Sequence, residues 1–289
     1  MLRPEIIEPT TLKEAVAALR RRPGAMPLAG ATDLIPAMQR GTARPRVLVN
    51  LKRIPGLSGI RRVPGGVSIG ALTTITDLVS SPIAARQTPL LVEVGRDFGS
   101  PQVRNLATIG GNLCNATPSA DFPLALLVMD ATLQIQGVRG ARQLPVSDLF
   151  LGAGKTALRA GEIVISIFVP RQPPRTGWAQ LKLGVRRAMD LATVGAAAAI
   201  TLAADGRTCR RARVALGAVA PIPMRSPAAE AVLQQEKLTL ALLREAAAAA
   251  AGEARPISDL RASAGYRREM TAVLVRRALE QALRRASEM

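Results

Sequence analysis

Pro27-Leu28-Ala29-Gly30-Ala31-Thr32-Asp33-Leu34 and, further along, Thr108-Ile109-Gly110-Gly111-Asn112 are two turns of small residues whose reading decides the fold. Each follows an apolar or extended stretch and puts glycine where a backbone must pass close to something. Glycine adopts positive φ without a Cβ clash, so such turns can aim successive N–H groups at an anion. Two of them in one chain, with Thr32, Asp33, Thr108 and Asn112 around them, point to a pyrophosphate gripped from two sides. The competing reading is a pair of plain strand-to-helix turns in which Asp33 and Asn112 hydrogen-bond local backbone. The pattern alone leaves both open.

The 289 residues suffice for about two domains with a core each. Apolar residues make up 48% and charged residues 21%, the balance of a globular protein. No apolar run reaches the roughly 18 residues needed to cross a bilayer. The start, Met1-Leu2-Arg3-Pro4-Glu5, has no signal-peptide core, so the expected location is the cytoplasm. Histidine is absent. That removes the usual general base at neutral pH, the Ser–His and Cys–His nucleophile pairs and the commonest zinc ligand. Cys114 and Cys209 lie far apart and match neither a paired-cysteine metal site nor an iron–sulfur ligand run, and a single disulfide between them stays open. Difficult chemistry must then come from a bound organic cofactor or a partner chain.

Lys and Arg number 39 against 21 Asp and Glu, a net charge of +18. Nucleic acid is the sharp reading of that excess. Only 2% of residues are aromatic, leaving little to stack on bases, and no helix-turn-helix or zinc-finger spacing occurs. No nucleic-acid partner is expected. A basic face that docks an acidic protein fits better.

Along the chain, Thr11-Leu12-Lys13-Glu14 is a capping box opening a helix to about Arg21, ended by Pro23-Gly24. Residues 46–50 read as a strand, and Pro64-Gly65-Gly66 joins 60–63 and 67–70 in a hairpin. Thr76-Asp77 starts a short helix, and 97–115 is polar and turn-rich. Asp121 is placed as the N-cap of a helix to about Met129, with Pro123 in its first turn. Residues 131–136 and 162–169 are strands, and 171–175 look like a linker. Beyond it, 179–185, 196–203 and 211–220 read as strands and 228–235, 239–251 and 263–287 as helices. Lys182 takes the outward position of its alternating strand. Short mixed elements without regular βα alternation indicate an α+β fold rather than a Rossmann domain.

Gly152-Ala153-Gly154-Lys155-Thr156-Ala157 resembles the end of a P-loop, but that motif needs glycine where Leu149 stands. It also fits GxGxxA, yet Gly161 and a strand arrive before a helix has room to form. It reads as a connecting loop.

Taken in order, these residues carry a resemblance: Leu28-Ala29-Gly30-Ala31-Thr32-Asp33-Leu34, Ile69-Gly70-Ala71-Leu72-Thr73-Thr74, Gln102-Val103-Arg104-Asn105 and Thr108-Ile109-Gly110-Gly111-Asn112. Ser119-Ala120-Asp121, Gly154-Lys155-Thr156, Lys182-Leu183-Gly184, Arg187-Ala188-Met189-Asp190 and Arg261-Ala262-Ser263-Ala264 continue it. The whole chain resembles the FAD-binding medium subunit of the molybdenum hydroxylases, the family of aerobic carbon monoxide dehydrogenase and xanthine dehydrogenase.

The resemblance implies an α+β, two-lobed FAD-binding domain of the vanillyl-alcohol-oxidase (PCMH) type over residues 1–175, with lobes of about 1–55 and 56–175. A smaller α+β C-terminal domain would follow over 176–289. It implies that Leu28, Ala29, Gly30, Ala31, Thr32, Asp33 and Leu34, with Thr108, Ile109, Gly110, Gly111 and Asn112, hold the FAD pyrophosphate by backbone and hydroxyl contacts. Phe98 would lie beside the cofactor, Val164 would be an apolar contact, Asp121 an acid toward ribose hydroxyls or an adenine nitrogen, and Lys182 a base toward a flavin carbonyl. Ala31 departs from the family, which commonly has a second glycine there, so this turn is expected to differ slightly.

Without histidine there is no histidyl-linked flavin, so FAD is expected to be non-covalent. The resemblance further implies a large molybdenum–pterin subunit and a small subunit with 2Fe-2S clusters, assembled as a dimer of heterotrimers. Electrons would pass from the clusters to FAD and on to an external acceptor. The alternatives are a stand-alone FAD-dependent reductase or oxidase of the same fold and, in another class, a basic nucleic-acid-binding or scaffold protein without cofactor.

Overall fold

Thr11 opens the first helix of the computed structural model, which describes residues 4–186 and 189–288. Met1, Leu2 and Arg3 of the chain start, and Arg187 and Ala188 of the motif quoted above, lie outside the described residues. The Thr11 hydroxyl accepts from the Glu14 amide at 3.2 Å and the Glu14 carboxylate accepts from the Thr11 amide at 3.3 Å, the reciprocal capping box expected. This helix, α1 (Leu12–Arg21), connects β1 (Glu5–Ile7) to β2 (Ala25–Leu28). A second, α2 (Leu34–Gln39), connects β2 to β3 (Val47–Asn50). The three strands form a parallel sheet in the order β1-β3-β2, and parallel neighbours require such crossovers. Ala15, Val16, Val47 and Val49 bury their side chains between helix and sheet.

The second sheet is antiparallel. It contains β4 (Ile60–Val63), β5 (Gly66–Gly70), β6 (Thr132–Gly137), β7 (Gly140–Pro145) and, after the small hairpin β8 (Phe150–Gly152) and β9 (Lys155–Thr156), the central β10 (Ile163–Pro170). Its order is β4-β5-β10-β6-β7. The segment 152–157, read as a loop, is thus part of a hairpin with its turn at Gly154, where φ is 69°.

Six short helices pack against this sheet: α3 (Ile75–Ser80), α4 (Pro82–Gln87), α5 (Pro89–Arg96), α6 (Pro101–Leu106), α7 (Ile109–Cys114) and α8 (Phe122–Val128). Two expectations change here. Helix α3 starts one residue earlier than read, because Thr74 rather than Thr76 caps it, accepting from the Asp77 amide at 3.1 Å. The turn-rich stretch 97–115 contains α6 and α7, capped by Ser100 and Thr108. A hydroxyl caps each start, followed by a proline in α6 but by Ile109 in α7, and each helix ends before an apolar periodicity can show.

The C-terminal part has β11 (Thr176–Leu183), β12 (Val194–Leu202), β13 (Cys209–Gly217) and β14 (Met224–Arg225) in one antiparallel sheet. Strand β11 ends at Leu183, short of the 185 read from the sequence. Helices α9 (Pro227–Leu233), α10 (Leu240–Glu253) and α11 (Ala264–Ser287) follow. Every residue of β12 is buried because both faces of the sheet are covered. Ala196, Ala198 and Ile200 meet the C-terminal helices, whereas Ala197 and Ala199 join the core of the second sheet. Small residues are needed on both sides: a Cβ at Gly177 would stand 2.1 Å from the Ala282 carbonyl oxygen, and one at Gly217 would stand 2.8 Å from Leu124. The alanine-rich strand is therefore a packing device that lets α8 and α11 approach from opposite sides.

Candidate functional site

A cleft of about 300 Å³ opens between the two glycine turns. Ala29 to Leu34 line one side and Thr108, Gly110, Gly111 and Asn112 the other, with Phe98 and Val164 on its apolar wall. Leu28 belongs to the end of β2 and pairs with Asn50, and Ile109 is wholly buried in the core, so neither lines the cleft. Val164 sits beside an irregularity in the β10–β6 pairing, the kind of bulge that re-aims side chains next to a site.

The glycines turn out to approach protein as well as open space. A Cβ on Gly30 would lie 2.0 Å from the Leu106 carbonyl oxygen, and one on Gly110 would lie 2.6 Å from that of Ala71. Both hold the walls of the cleft close together.

Hydrogen-bond accounting separates the two turns. In the second, Ile109 N–H donates to Thr73 O at 3.1 Å, Gly110 N–H to Ala71 O at 2.9 Å, and Asn112 N–H to Thr108 O at 3.0 Å. Gly111 N–H donates to the Thr108 hydroxyl at 3.0 Å. These amides are spent on the fold, which corrects the expectation that this turn offers its backbone to an anion. In the first turn, among the described residues, the amides of Gly30, Ala31, Thr32, Asp33 and Leu34 donate to no protein acceptor. The second turn contributes a side chain instead: Asn112 Oδ1 is buried and unpaired. Asp33 occupies the N-cap position of α2 without a side-chain cap bond, and removal from water pushes its carboxyl above the usual range. The plain-turn reading required local bonds from both Asp33 and Asn112. It fails on both.

Ala31 takes φ 62°, the left-handed conformation that disfavours an L-residue. Ala31→Gly is expected to raise stability by up to about 1 kcal/mol, the left-handed penalty less the freedom glycine adds to the unfolded chain. A melt raised by roughly 2 °C with unchanged ligand affinity is the expected outcome. A lowered melt would mean the Ala31 methyl packs usefully.

A second cluster is formed by Lys182 and Asp121. Lys182 Nζ donates to Asp121 Oδ1 at 2.9 Å and to the Asp190 carbonyl at 3.2 Å. Asp121 stands at the N-cap position of α8 but makes no cap bond, because its carboxylate turns to Lys182. Lys182 is correspondingly half-buried rather than outward. Burial raises the Asp121 carboxyl above its ordinary range, and Lys182 opposes that shift. Neither Asp121 nor Lys182 lines the cleft, and both line a separate small depression with Gln180 and Gly195. The link between the two is Phe98 on the cleft wall, which packs on Phe122, the residue after Asp121, with ring centroids 5.6 Å apart.

Sequence reasoning missed Cys114 and Glu162 on the lining. Burial pushes the Cys114 thiol up to about 12, so it is no nucleophile. Glu162 is occupied by Arg142 at 2.7 Å. Among the described residues no cluster suited to a metal occurs, and no helix is long and apolar enough to cross a membrane.

Open amides, an orphan side-chain acceptor and an apolar wall in one cleft define a protein that binds a nucleotide-type cofactor. Comparison with known proteins narrows the class. Residues 2–172 match the model of the FAD binding domain in molybdopterin dehydrogenase, and residues 179–282 match the CO dehydrogenase flavoprotein C-terminal domain. The carbon monoxide dehydrogenase medium chain of Hydrogenophaga pseudoflava is 37% identical over 280 residues, 96% of each chain. The xanthine dehydrogenase FAD-binding subunit of Escherichia coli O157:H7 is 34% identical over 275 residues, 94% of each chain. A chain of the solved Hydrogenophaga pseudoflava carbon monoxide dehydrogenase lacking the Mo-pyranopterin moiety superposes with a TM-score of 0.95 at 38% identity, covering 98% of both. The chain belongs to the FAD-binding medium subunits of the molybdenum hydroxylases, a family of oxidoreductase subunits.

Proposed function

We propose that this chain holds FAD non-covalently in the cleft and relays electrons within a molybdenum hydroxylase. The observation that carries the reading is the donor accounting: five open amides of the first turn share one cleft with the unpaired oxygen of Asn112. Open amides in succession suit phosphate oxygens, and a buried acceptor suits a hydroxyl or N–H donor of the ligand. Phe98 and Val164 supply an apolar wall against which a ring can lie. When bound, the isoalloxazine supplies the redox chemistry.

The residues divide the work. Gly30 to Leu34 bind the pyrophosphate, with the Thr32 hydroxyl as a further donor, and Asn112 fixes the cofactor from the opposite wall. Asp121 and Lys182 are bonded to each other, so both act at one end of the cofactor. We assign both to the flavin end, where Lys182 faces a ring carbonyl and Asp121 keeps the ammonium in place; this replaces the adenine or ribose role for Asp121. The cofactor domain spans 1–175 and the C-terminal domain 176–289. Electrons would arrive from 2Fe-2S clusters on a small subunit fed by the molybdenum–pterin centre of a large one. They would leave for an external acceptor from a cytoplasmic dimer of heterotrimers.

The test compares wild type with Asn112→Leu in the assembled protein, reading the absorption spectrum, the flavin released on denaturation and the FAD dissociation constant. Wild type should carry releasable FAD. Asn112→Leu should weaken FAD roughly tenfold, the loss of one hydrogen bond to a buried group. The FAD-free melt should stay level or rise, since an unpaired buried acceptor has gone. A folded but colourless wild type sinks the reading, and an unchanged affinity in the variant removes Asn112 from the site.

A further inference from the structure

Arg267, in the first turn of α11, is the one buried charged side chain among the described residues, 4% exposed. Such a group is costly unless fully engaged, and well-packed apolar residues usually replace it without loss. Its Nε finds no partner, so stability alone is a poor account of it. Its two terminal nitrogens are committed to three others. Nη1 donates to Thr193 O at 2.9 Å and to Ala218 O at 3.1 Å, and Nη2 donates to Asp259 Oδ1 at 2.7 Å. Asp259 is itself held by the Arg261 amide at 2.8 Å.

Each carbonyl is the far end of an arm that reaches the acid–base pair. Thr193 N–H donates to Leu183 O at 2.8 Å, closing the chain between β11 and β12 directly after Lys182. Ala218 N–H donates to Pro118 O at 2.7 Å, in the segment that runs into Asp121. The arms meet where Lys182 Nζ and Asp121 Oδ1 stand 2.9 Å apart. Asp121 belongs to the cofactor part of the chain and Lys182 to the C-terminal sheet. Their separation therefore depends on how the two parts are clamped.

We propose that Arg267 is the positioning residue of the Asp121–Lys182 pair, its planar guanidinium setting through Thr193 and Ala218 where that pair meets the flavin. The inference rests on the placement of the pair at the flavin end given above. A guanidinium holds several acceptors in one fixed fork; an ammonium in its place keeps the charge and loses the fork. Asp259 keeps the guanidinium neutralised: the Arg261 amide first, and Arg267 itself, hold its carboxyl at about 2.

The test uses the assembled holoenzyme with Lys182→Met, Arg267→Lys and the double variant, reading the FAD dissociation constant, the shape of the flavin absorption bands and the flavin reduction potential. Lys182→Met should weaken FAD and shift both the bands and the potential. Arg267→Lys should shift them in the same direction and weaken FAD roughly tenfold, a coupling of the size expected for residues in one hydrogen-bond network. In the Lys182→Met background Arg267→Lys should add nothing. If Arg267→Lys lowers the melt but leaves spectrum, potential and affinity as in wild type, Arg267 is structural and the proposal falls. Additive effects in the double variant overturn it equally. If Lys182→Met changes nothing, the placement of the pair at the flavin is wrong and this proposal goes with it. Should Arg267→Lys fail to fold, Asp259→Asn loosens the same fork from its other side. It must then give the same spectral shift in smaller measure, and a wild-type spectrum would sink the idea.

Discussion

Gly30→Ala is expected to abolish FAD retention while most of the fold survives. The added Cβ would stand 2.0 Å from the Leu106 carbonyl oxygen, 2.8 Å from its carbon and 3.0 Å from the Ala107 Cα. All three are backbone atoms, so no rotamer change makes room and the turn itself must move. Gly30 has no positive φ, and its need for glycine is purely one of space. Ala31 presents the opposite case, where the φ of 62° and not space is the constraint, which is why Ala31→Gly is expected to act in the opposite direction. Overpacking of this kind costs about 1–3 kcal/mol, or several degrees in the melt of a chain this long. The cost in binding is larger. The amides of residues 30–34 move as one block, and displacing convergent donors by about 1 Å costs on the order of a hundredfold in what they hold. Titration of flavin fluorescence beside a thermal melt separates the effects. A wild-type FAD affinity in a variant with a lowered melt would show that this turn does not grip the pyrophosphate.

Those neighbouring residues also show how far the site was legible in the sequence. The turn was visible because small residues in a row are rare, and Ala31 was visible as a departure. What the glycines approach was not: the Leu106 and Ala71 carbonyls come from elements far along the chain, and no local pattern reports them. The second turn misled for the same reason, since its amides are taken by Thr73, Ala71 and Thr108. The Asp121–Lys182 pair was read as a cap and an outward strand residue because each has a good local explanation, and only a tertiary contact overrides it. In the fold, α1, the β4–β5 hairpin and the long C-terminal helices were legible, having caps, turn residues or several turns of periodicity. Helices α4 to α7 were not, because six to eight residues cannot show a period and their signals lie in single hydroxyl–proline steps or, for α7, in the Thr108 hydroxyl alone.

Asp130→Asn is expected to loosen the cofactor part of the chain from the C-terminal sheet. Asp130 follows α8 and receives Arg211 at 2.5 Å, Arg225 at 2.9 Å and Arg213 at 3.3 Å, all from β13 and β14. Glu230 takes the other face of Arg225, stands 3.7 Å from Arg213 and accepts from the Val214 amide at 3.0 Å. Three arginines thus share two carboxylates, and removing one leaves a partly buried positive cluster. Asn keeps the size of the side chain and tolerates the left-handed φ of 51° at this position, so the variant reports charge and not backbone strain. Breaking a buried pair costs about 3–5 kcal/mol. With Arg211 39% exposed, solvent screening reduces this to roughly 2 kcal/mol, or about 4–8 °C in the melt. The gap to wild type should narrow at high salt, which screens the surplus cations. Calorimetry tests a sharper consequence. Apolar packing also joins the halves, through Ala197, Ala199 and Ala215 in the core that contains Leu124. If the charge network dominates, the variant melts in two steps, with the C-terminal part first. If the variant melts in one step at the wild-type temperature, the alanine face of β12 and β13 holds the domains by itself and the arginines around Asp130 contribute little to the clamp.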